Sequence, residues 1–124
     1  MLVCQAPAEP THELPGARFT TLVSPRRGSA ETSVWLLELH ADADVVPHRV
    51  TREEIFVALA GDAIATLDGI AHLLHAGDAL ALSPDVEFTL ATAGSAPFRA
   101  LVCLPVGGQA MIAGGEPFTP PWAE

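Results

Sequence analysis

The stretch PHRVTREEIFVALAG, residues 47–61, sets an imidazole and a carboxyl into a short and otherwise largely apolar run. His48 can ligate a metal through a ring nitrogen, or take up and release a proton near neutral pH. Glu54 can do either as well, its proton affinity rising on burial and falling beside a positive charge. Catalytic metal centres are commonly built from three such donors with a position left open. The same two groups without a metal make a general acid and a general base. Glu53 does not join Glu54 in a carboxylate dyad, because neighbours on an extended strand point to opposite faces.

These side chains act together only if the backbone brings them to one surface. At 124 residues the chain has the length of a single domain, 1–124, with one core. Turn signals recur at short intervals, among them SPRRGS at 24–29, ADAD at 41–44, DG at 68–69, AGD at 76–78, SPD at 83–85 and AGSAP at 93–97. The segments between, FTTLV, TSVWLLEL, EIFVALA, AIATL, IAHLLH, ALAL and FRALVCL, are too short for helices, and their rhythm predicts an all-β sandwich or barrel. Asp68-Gly69 suits the two positive-φ positions of a type I′ hairpin turn. A two-residue turn there sets His72 opposite Ala65 and His75 opposite Asp62, an ion pair near a strand end. The N-terminal segment and residues 107–124 are Pro-rich and are expected to be irregular around a core of about 17–106. Trp122, beside Pro120 and Pro121, is expected to be docked, because leaving an indole in water forfeits its burial.

Alternation sorts the faces. Val46, His48 and Val50 share one side, and Glu54, Phe56, Ala58 and Ala60 share one side of the next strand. Ile55, Val57 and Leu59 on the opposite side are apolar too, so a second sheet or a partner subunit is expected to cover them. Glu38 facing water sends Trp35 and Leu37 inward. Arg49 alternates outward from His48, Arg52 falls in the following loop, and His40 is expected to be solvent-exposed.

In this setting the sequence resembles a small cupin, a jelly-roll family whose first motif reads G-x5-H-x-H-x3-4-E-x6-G. Asp42 stands at the first Gly, His48 at the first His, Val50 at the second His, Glu54 at the Glu and Gly61 at the last Gly. The second family motif, roughly G-x5-P-x-G-x2-H-x3-N, is echoed by GDALALSPDVEFTLAT, with Gly77 matching, Ser83 or Pro84 at the proline, Asp85 at the glycine, Phe88 at the histidine and Thr92 at the asparagine. The match spans residues 42–92. It implies a jelly-roll β-barrel into which His48 and Glu54 both point, with Trp35, Val50, Phe56 and Phe88 as candidates to line a mostly apolar small-molecule pocket. It also implies a homodimer.

By the same resemblance two of the four ligand positions hold side chains without a lone pair, Val50 and Phe88. His48 and Glu54 would be the metal ligands if a metal bound, yet alone they would hold iron, manganese, nickel or zinc loosely. A third donor would have to come from His40, His72, His75, Cys103 or Asp85, so no cofactor is favoured. Without one, a carboxyl beside Phe88, Phe56 and Val50 is expected to have a raised pKa that a nearby His would lower again, the two sharing a proton near neutrality. Such a pair fits isomerisation, epimerisation, cyclisation or dehydration of a small organic molecule. A metal-dependent oxygenase and a non-catalytic binding or sensing module stay open beside it, and so does a pair that is hydrogen-bonded and idle.

Composition narrows the partners. Six basic against fifteen acidic residues give a formal net charge of −9, where nucleic-acid binders concentrate positive charge to displace counterions. No apolar run approaches the roughly 20 residues of a membrane span, and MLVCQAPAEP lacks the basic and apolar regions of a secretory signal. Cys4 and Cys103 have no metal-type spacing. A cytoplasmic protein that binds neither nucleic acid nor membrane is expected.

Overall fold

The computed structural model describes residues 2–124. The short apolar runs between the turn signals form strands: β2 (Ala17–Val23), β3 (Thr32–Leu39), β5 (Glu54–Ala60), β6 (Ala63–Leu67), β7 (Ile70–Leu74), β8 (Ala79–Leu82) and β10 (Phe98–Pro105). Four more complete the set: β1 (His12–Leu14), β4 (His48–Val50), β9 (Phe88–Thr92) and β11 (Ala110–Ile112). They build two antiparallel sheets, one in the order β1-β2-β3-β10-β5-β8 and the other β11-β4-β9-β6-β7, the two layers of a jelly roll. No helix among the described residues is long and apolar enough to cross a membrane.

Alternation produces the core. Phe98, Ala100, Val102 and Leu104 of β10 are each at most 1% exposed, and they pack with Trp35 and Leu37 of β3 and Phe56 and Ala58 of β5. Glu38 is on the outer face, as its alternation with Leu37 requires. The Asp68-Gly69 turn has positive φ at both residues, 46° and 84°, and the β6–β7 register pairs Ala65 with His72. Gly61 closes β5 at φ 72°, and a Cβ there would strike the Pro97 carbonyl, so only glycine lets β5 turn this tightly into β6.

Four details depart from the sequence expectations. The Pro-rich ends are irregular for most of their length, but each contributes a three-residue strand, β1 on β2 and β11 on β4. Three residues are too few for alternation to show. Strand β4 begins only at His48, so Val46 lies ahead of it and is 45% exposed instead of sharing the inner face with Val50. On β5, Leu59 is 49% exposed, so no second sheet covers that outer face. His40 is half-buried, its Nε2 3.5 Å from Glu38, because its backbone N–H donates to the Gly16 carbonyl and ties it to the sheet end.

The C-terminal turn Pro121–Ala123 docks on the inner side of β2 and β3. Trp122 stacks on Phe19 at 3.6 Å, the Thr21 hydroxyl donates to the Trp122 carbonyl at 2.8 Å, and the buried Ser33 hydroxyl donates to the Ala123 carbonyl at 2.8 Å.

Candidate functional site

Strand register lines the inner side chains up in rows. In the five-stranded sheet one row runs Ile112, His48, Phe88, Leu67, Ile70, each residue paired with the next. His48 is its only polar member. On the six-stranded sheet, Glu54 of β5 pairs with Leu82 of β8, and the Cys103–Ile55 pairing sets Leu104 of β10 on its other side. Phe56 is the next inward position of β5, between Val102 and Leu80.

Aromatic contacts join the rows. The His48 ring meets Phe88 edge-on with centroids 4.5 Å apart, and Phe88 meets Phe56 at 5.4 Å. Val50 is on the same inward face of β4, and Trp35 of β3 is in register with Val102, hence one strand removed from Phe56. All four apolar candidates are almost fully covered: Val50 and Trp35 are 2% exposed, Phe56 4% and Phe88 1%. All four belong to one buried hydrophobic cluster. Open clefts of about 240 Å³ and 400 Å³ lie elsewhere, the first between Pro7–Pro10 and the outer face at Leu36 and Arg99, the second beside the C-terminal turn at Pro105–Gly108.

The two polar groups are perturbed in opposite senses by one cause. Glu54 is 6% exposed, and burial pushes its pKa up from 4.5 to about 8 with no hydrogen bond or charge pulling it back. It is a neutral carboxylic acid at pH 7. Burial lowers the pKa of His48, partly offset by its Nδ1 contact of 3.1 Å with the Val46 carbonyl. A carbonyl only accepts, so Nδ1 carries the hydrogen and Nε2 keeps the lone pair. His48 is a neutral imidazole with its basic nitrogen free.

The expected shared proton is therefore corrected. His48 bonds the Val46 carbonyl, and no hydrogen bond links it to Glu54, which sits on the opposite sheet. Nor does the imidazole pull the Glu54 pKa down, since burial is the sole cause of the shift. The result is a separate acid and a separate base, each in its neutral form.

A metal fits this donor set poorly. Val50 and Phe88 offer no electron pair, and among the described residues no three His, Cys, Asp or Glu side chains come together to hold an ion. The rescue donors lie elsewhere. His75 Nδ1 is bonded to Asp62 at 2.8 Å, and His72 is exposed on the edge strand β7. The Asp85 carbonyl accepts from the Arg49 guanidinium, and Cys103 pairs with Val34 and Ile55 on the outer face. Asp85 takes φ 65°, the left-handed conformation that favours glycine.

Sequence reasoning missed Ile112. It lies in the stretch read as irregular tail, yet it stands directly across from His48 and is 47% exposed. No local signal could have found it, because β11 is placed by pairing with a strand some sixty residues earlier.

The family model described as Cupin domain matches residues 35–104. No curated protein matches the chain. Among solved structures, a cupin-like protein from Thermotoga maritima is 20% identical with a TM-score of 0.71, over 80% of this chain and 77% of that one. The polyketide cyclase RemF from Streptomyces resistomycificus is 17% identical with a TM-score of 0.73, over 91% and 82%. Salicylate 1,2-dioxygenase from Pseudoaminobacter salicylatoxidans, in adducts with gentisate, is 16% identical with a TM-score of 0.69, over 85% of this chain and 31% of the dioxygenase. At these identities the likeness concerns the fold.

Proposed function

The chain belongs to the cupin family, and we propose that it binds a small organic molecule between the rows of His48 and Glu54 and moves a proton on it without a metal. The observation that carries this reading is the placement of the two groups in an apolar interior from two sheets. The Glu54 carboxyl is 6% exposed with no hydrogen-bond partner among the described residues, so burial pushes its pKa up. The His48 imidazole is held at Nδ1 by the Val46 carbonyl, with burial lowering its pKa. A general acid must hold its proton at working pH and a general base must lack one, and burial gives both at once. On an enolisable ketone the Glu54 carboxyl would give its proton to the carbonyl oxygen while His48 Nε2 takes the α-proton. Reprotonation by the imidazolium at the same carbon, with return of the hydroxyl proton to Glu54, completes an epimerisation, and at a conjugated carbon an isomerisation. If the enol carbon instead attacks a second carbonyl of the same molecule, a ring C–C bond forms as that C=O π bond breaks. The oxygen of that carbonyl takes the proton from the imidazolium, and the enol oxygen returns its proton to Glu54. No oxidant or reductant is needed in any case. The fold likeness to a polyketide cyclase is in keeping with this class.

The test is α-proton exchange in D2O, followed by NMR with cyclic ketones such as 2-tetralone. Exchange above the solvent rate that is lost in Glu54→Gln and in His48→Phe supports the reading. No exchange, or exchange indifferent to both substitutions, overturns it. Near-stoichiometric iron, manganese, nickel or zinc in protein purified without added metal favours instead an oxygenase-like cupin with an unorthodox ligand set.

Two coarser elements accompany the reading. The apolar outer face of β5, with Leu59 49% exposed beside Ile55 and Val57, supports a homodimer built on the six-stranded sheet, and a shift to monomer in Leu59→Lys would bear this out in sedimentation. Two free thiols support a reducing, cytoplasmic setting.

A further inference from the structure

The chain contains no lysine, so its cations are six arginines, and the structure gives a position for each. Arg18 lies between Glu13 and Glu38 at 3.8 and 3.7 Å on the outer face, and Arg99 is in register with Glu38 on that same face. Arg26 pairs with Glu124 at 2.8 Å, and Arg27 donates to the Thr21 and Gln5 carbonyls. Arg49 points outward to Glu87 at 3.7 Å, and Arg52 is exposed in the turn between β4 and β5. Among the described residues no cationic side chain faces the interior. Among the described residues no helix is longer than three residues, so no helix N-terminus there offers amides to an anion either.

The way in is apolar as well. Val45 and Val46, separated from His48 by Pro47, are 52% and 45% exposed, and Ile112 across from His48 is 47% exposed. Ile112 stands beside the half-buried imidazole in the sheet, the Val46 carbonyl holds its Nδ1, and the row behind it continues as Phe88 and Leu67. Resting on the proton-transfer reading above, we infer that the ligand of this site is an uncharged molecule with an apolar body and a carbonyl or hydroxyl as its polar handle, admitted over the rim of Val45, Val46 and Ile112. Phosphorylated and carboxylated metabolites are excluded.

The physical reason is desolvation. A phosphate or carboxylate brought among these side chains loses its hydration and gains no opposite charge, an exchange proteins avoid by pairing buried charges. The chain's net charge of −9 adds a repulsive field before contact. An ammonium fares little better, because Glu54 is the acid of that interior and would have to give up its proton to receive it. A carbonyl meets what is present: a carboxyl that can donate, an imidazole that can accept, and aromatic walls that take an apolar ring.

A nearly isosteric pair of probes tests the inference by NMR titration at pH 7. In 2-acetonaphthone a methyl ketone replaces the carboxylate of 2-naphthoate on the same ring system. The ketone is expected to shift the resonances of His48, Phe88 and Ile112 and to bind at least about tenfold more tightly than 2-naphthoate. Ile112→Lys, at an exposed position, should narrow or reverse that preference by placing an ammonium at the rim. Equal or tighter binding of naphthoate by the wild-type protein overturns the inference and leaves the proton-transfer reading standing. Ketone binding without α-proton exchange does the reverse. Binding of neither probe at millimolar concentration overturns both.

Discussion

Two histidine–carboxyl pairs in this chain are made of the same groups and behave in opposite ways. His75 and Asp62 meet at the open end of the β6–β7 hairpin, exposed, with Nδ1 2.8 Å from the carboxylate, and the bond to Asp62 holds the His75 pKa above its ordinary value. His48 and Glu54 face the interior from different sheets, do not bond each other, and are pushed by burial toward a low imidazole pKa and a high carboxyl pKa. In water a carboxylate and an imidazolium find each other and both charged forms gain. Out of water without contact, both charged forms lose. The first arrangement bridges the open end of a hairpin; the second leaves a proton donor and a proton acceptor in their reactive neutral forms.

The largest way to break this contrast is to remove the buried acid. Glu54 holds its proton far more tightly in the folded chain than at its ordinary value of 4.5. Its contribution to stability is therefore fully present below pH 4.5 and is lost as pH rises toward 8. Over that window the loss is on the order of 4 kcal/mol, from 1.36 kcal/mol per pKa unit. Glu54→Gln keeps the shape without the ionisation, so its urea midpoint should lack this decline and exceed that of the wild-type protein above pH 8. His48 works in the other direction: its folded pKa is lowered, so it removes stability as pH falls through its ordinary value of 6.5, and His48→Phe should flatten the acid side of the profile.

Phe88→Ala attacks the insulation between the groups. Phe88 is 1% exposed and touches both His48 and Phe56, so its loss should cost about 3 kcal/mol in urea unfolding. Water admitted to the gap should also move the Glu54 pKa back toward 4.5, read by the carboxyl carbon resonance. A smaller effect separates the pairs by salt. Raising ionic strength toward 1 M should lower the His75 pKa, whose charge partners are solvated, and leave that of His48 unchanged. Smallest of all, Asp62→Asn should return the His75 pKa toward its ordinary value without measurable change in the urea midpoint, as is usual for exposed ion pairs.

The outer pair was legible in the sequence and the inner one only half so. Asp68-Gly69 fixes a two-residue turn, a two-residue turn fixes register, and register alone sets His72 against Ala65 and brings His75 to Asp62. Every step is local. Trp35 inward and Glu38 outward followed from alternation in the same way, whereas the inward sense of Phe56, on a strand apolar on both faces, came from the family resemblance. The place of His48 against Phe88 required β4 to pair with β9, and the rim residue Ile112 required β11 to pair with β4, contacts that no run of three residues announces. That His48 turns its Nδ1 to the Val46 carbonyl, and leaves Glu54 to hold its proton unaided, depends on where two sheets come to rest relative to each other.

The sequence by itself determined that the chain is a jelly roll, that its strands break where they do, and that two of the family's ligand positions carry Val50 and Phe88. Side-chain type and a period of two residues suffice for the strand breaks, because both are properties of neighbours along the chain. The jelly roll and the ligand positions follow from the resemblance of the motif spacing to the cupin family. Only the tertiary structure decided the protonation of the site. A proton's free energy on Glu54 or His48 is set by the water excluded around it, and that exclusion is the work of residues such as Leu82, Leu104, Phe56 and Phe88, drawn from four strands in two sheets.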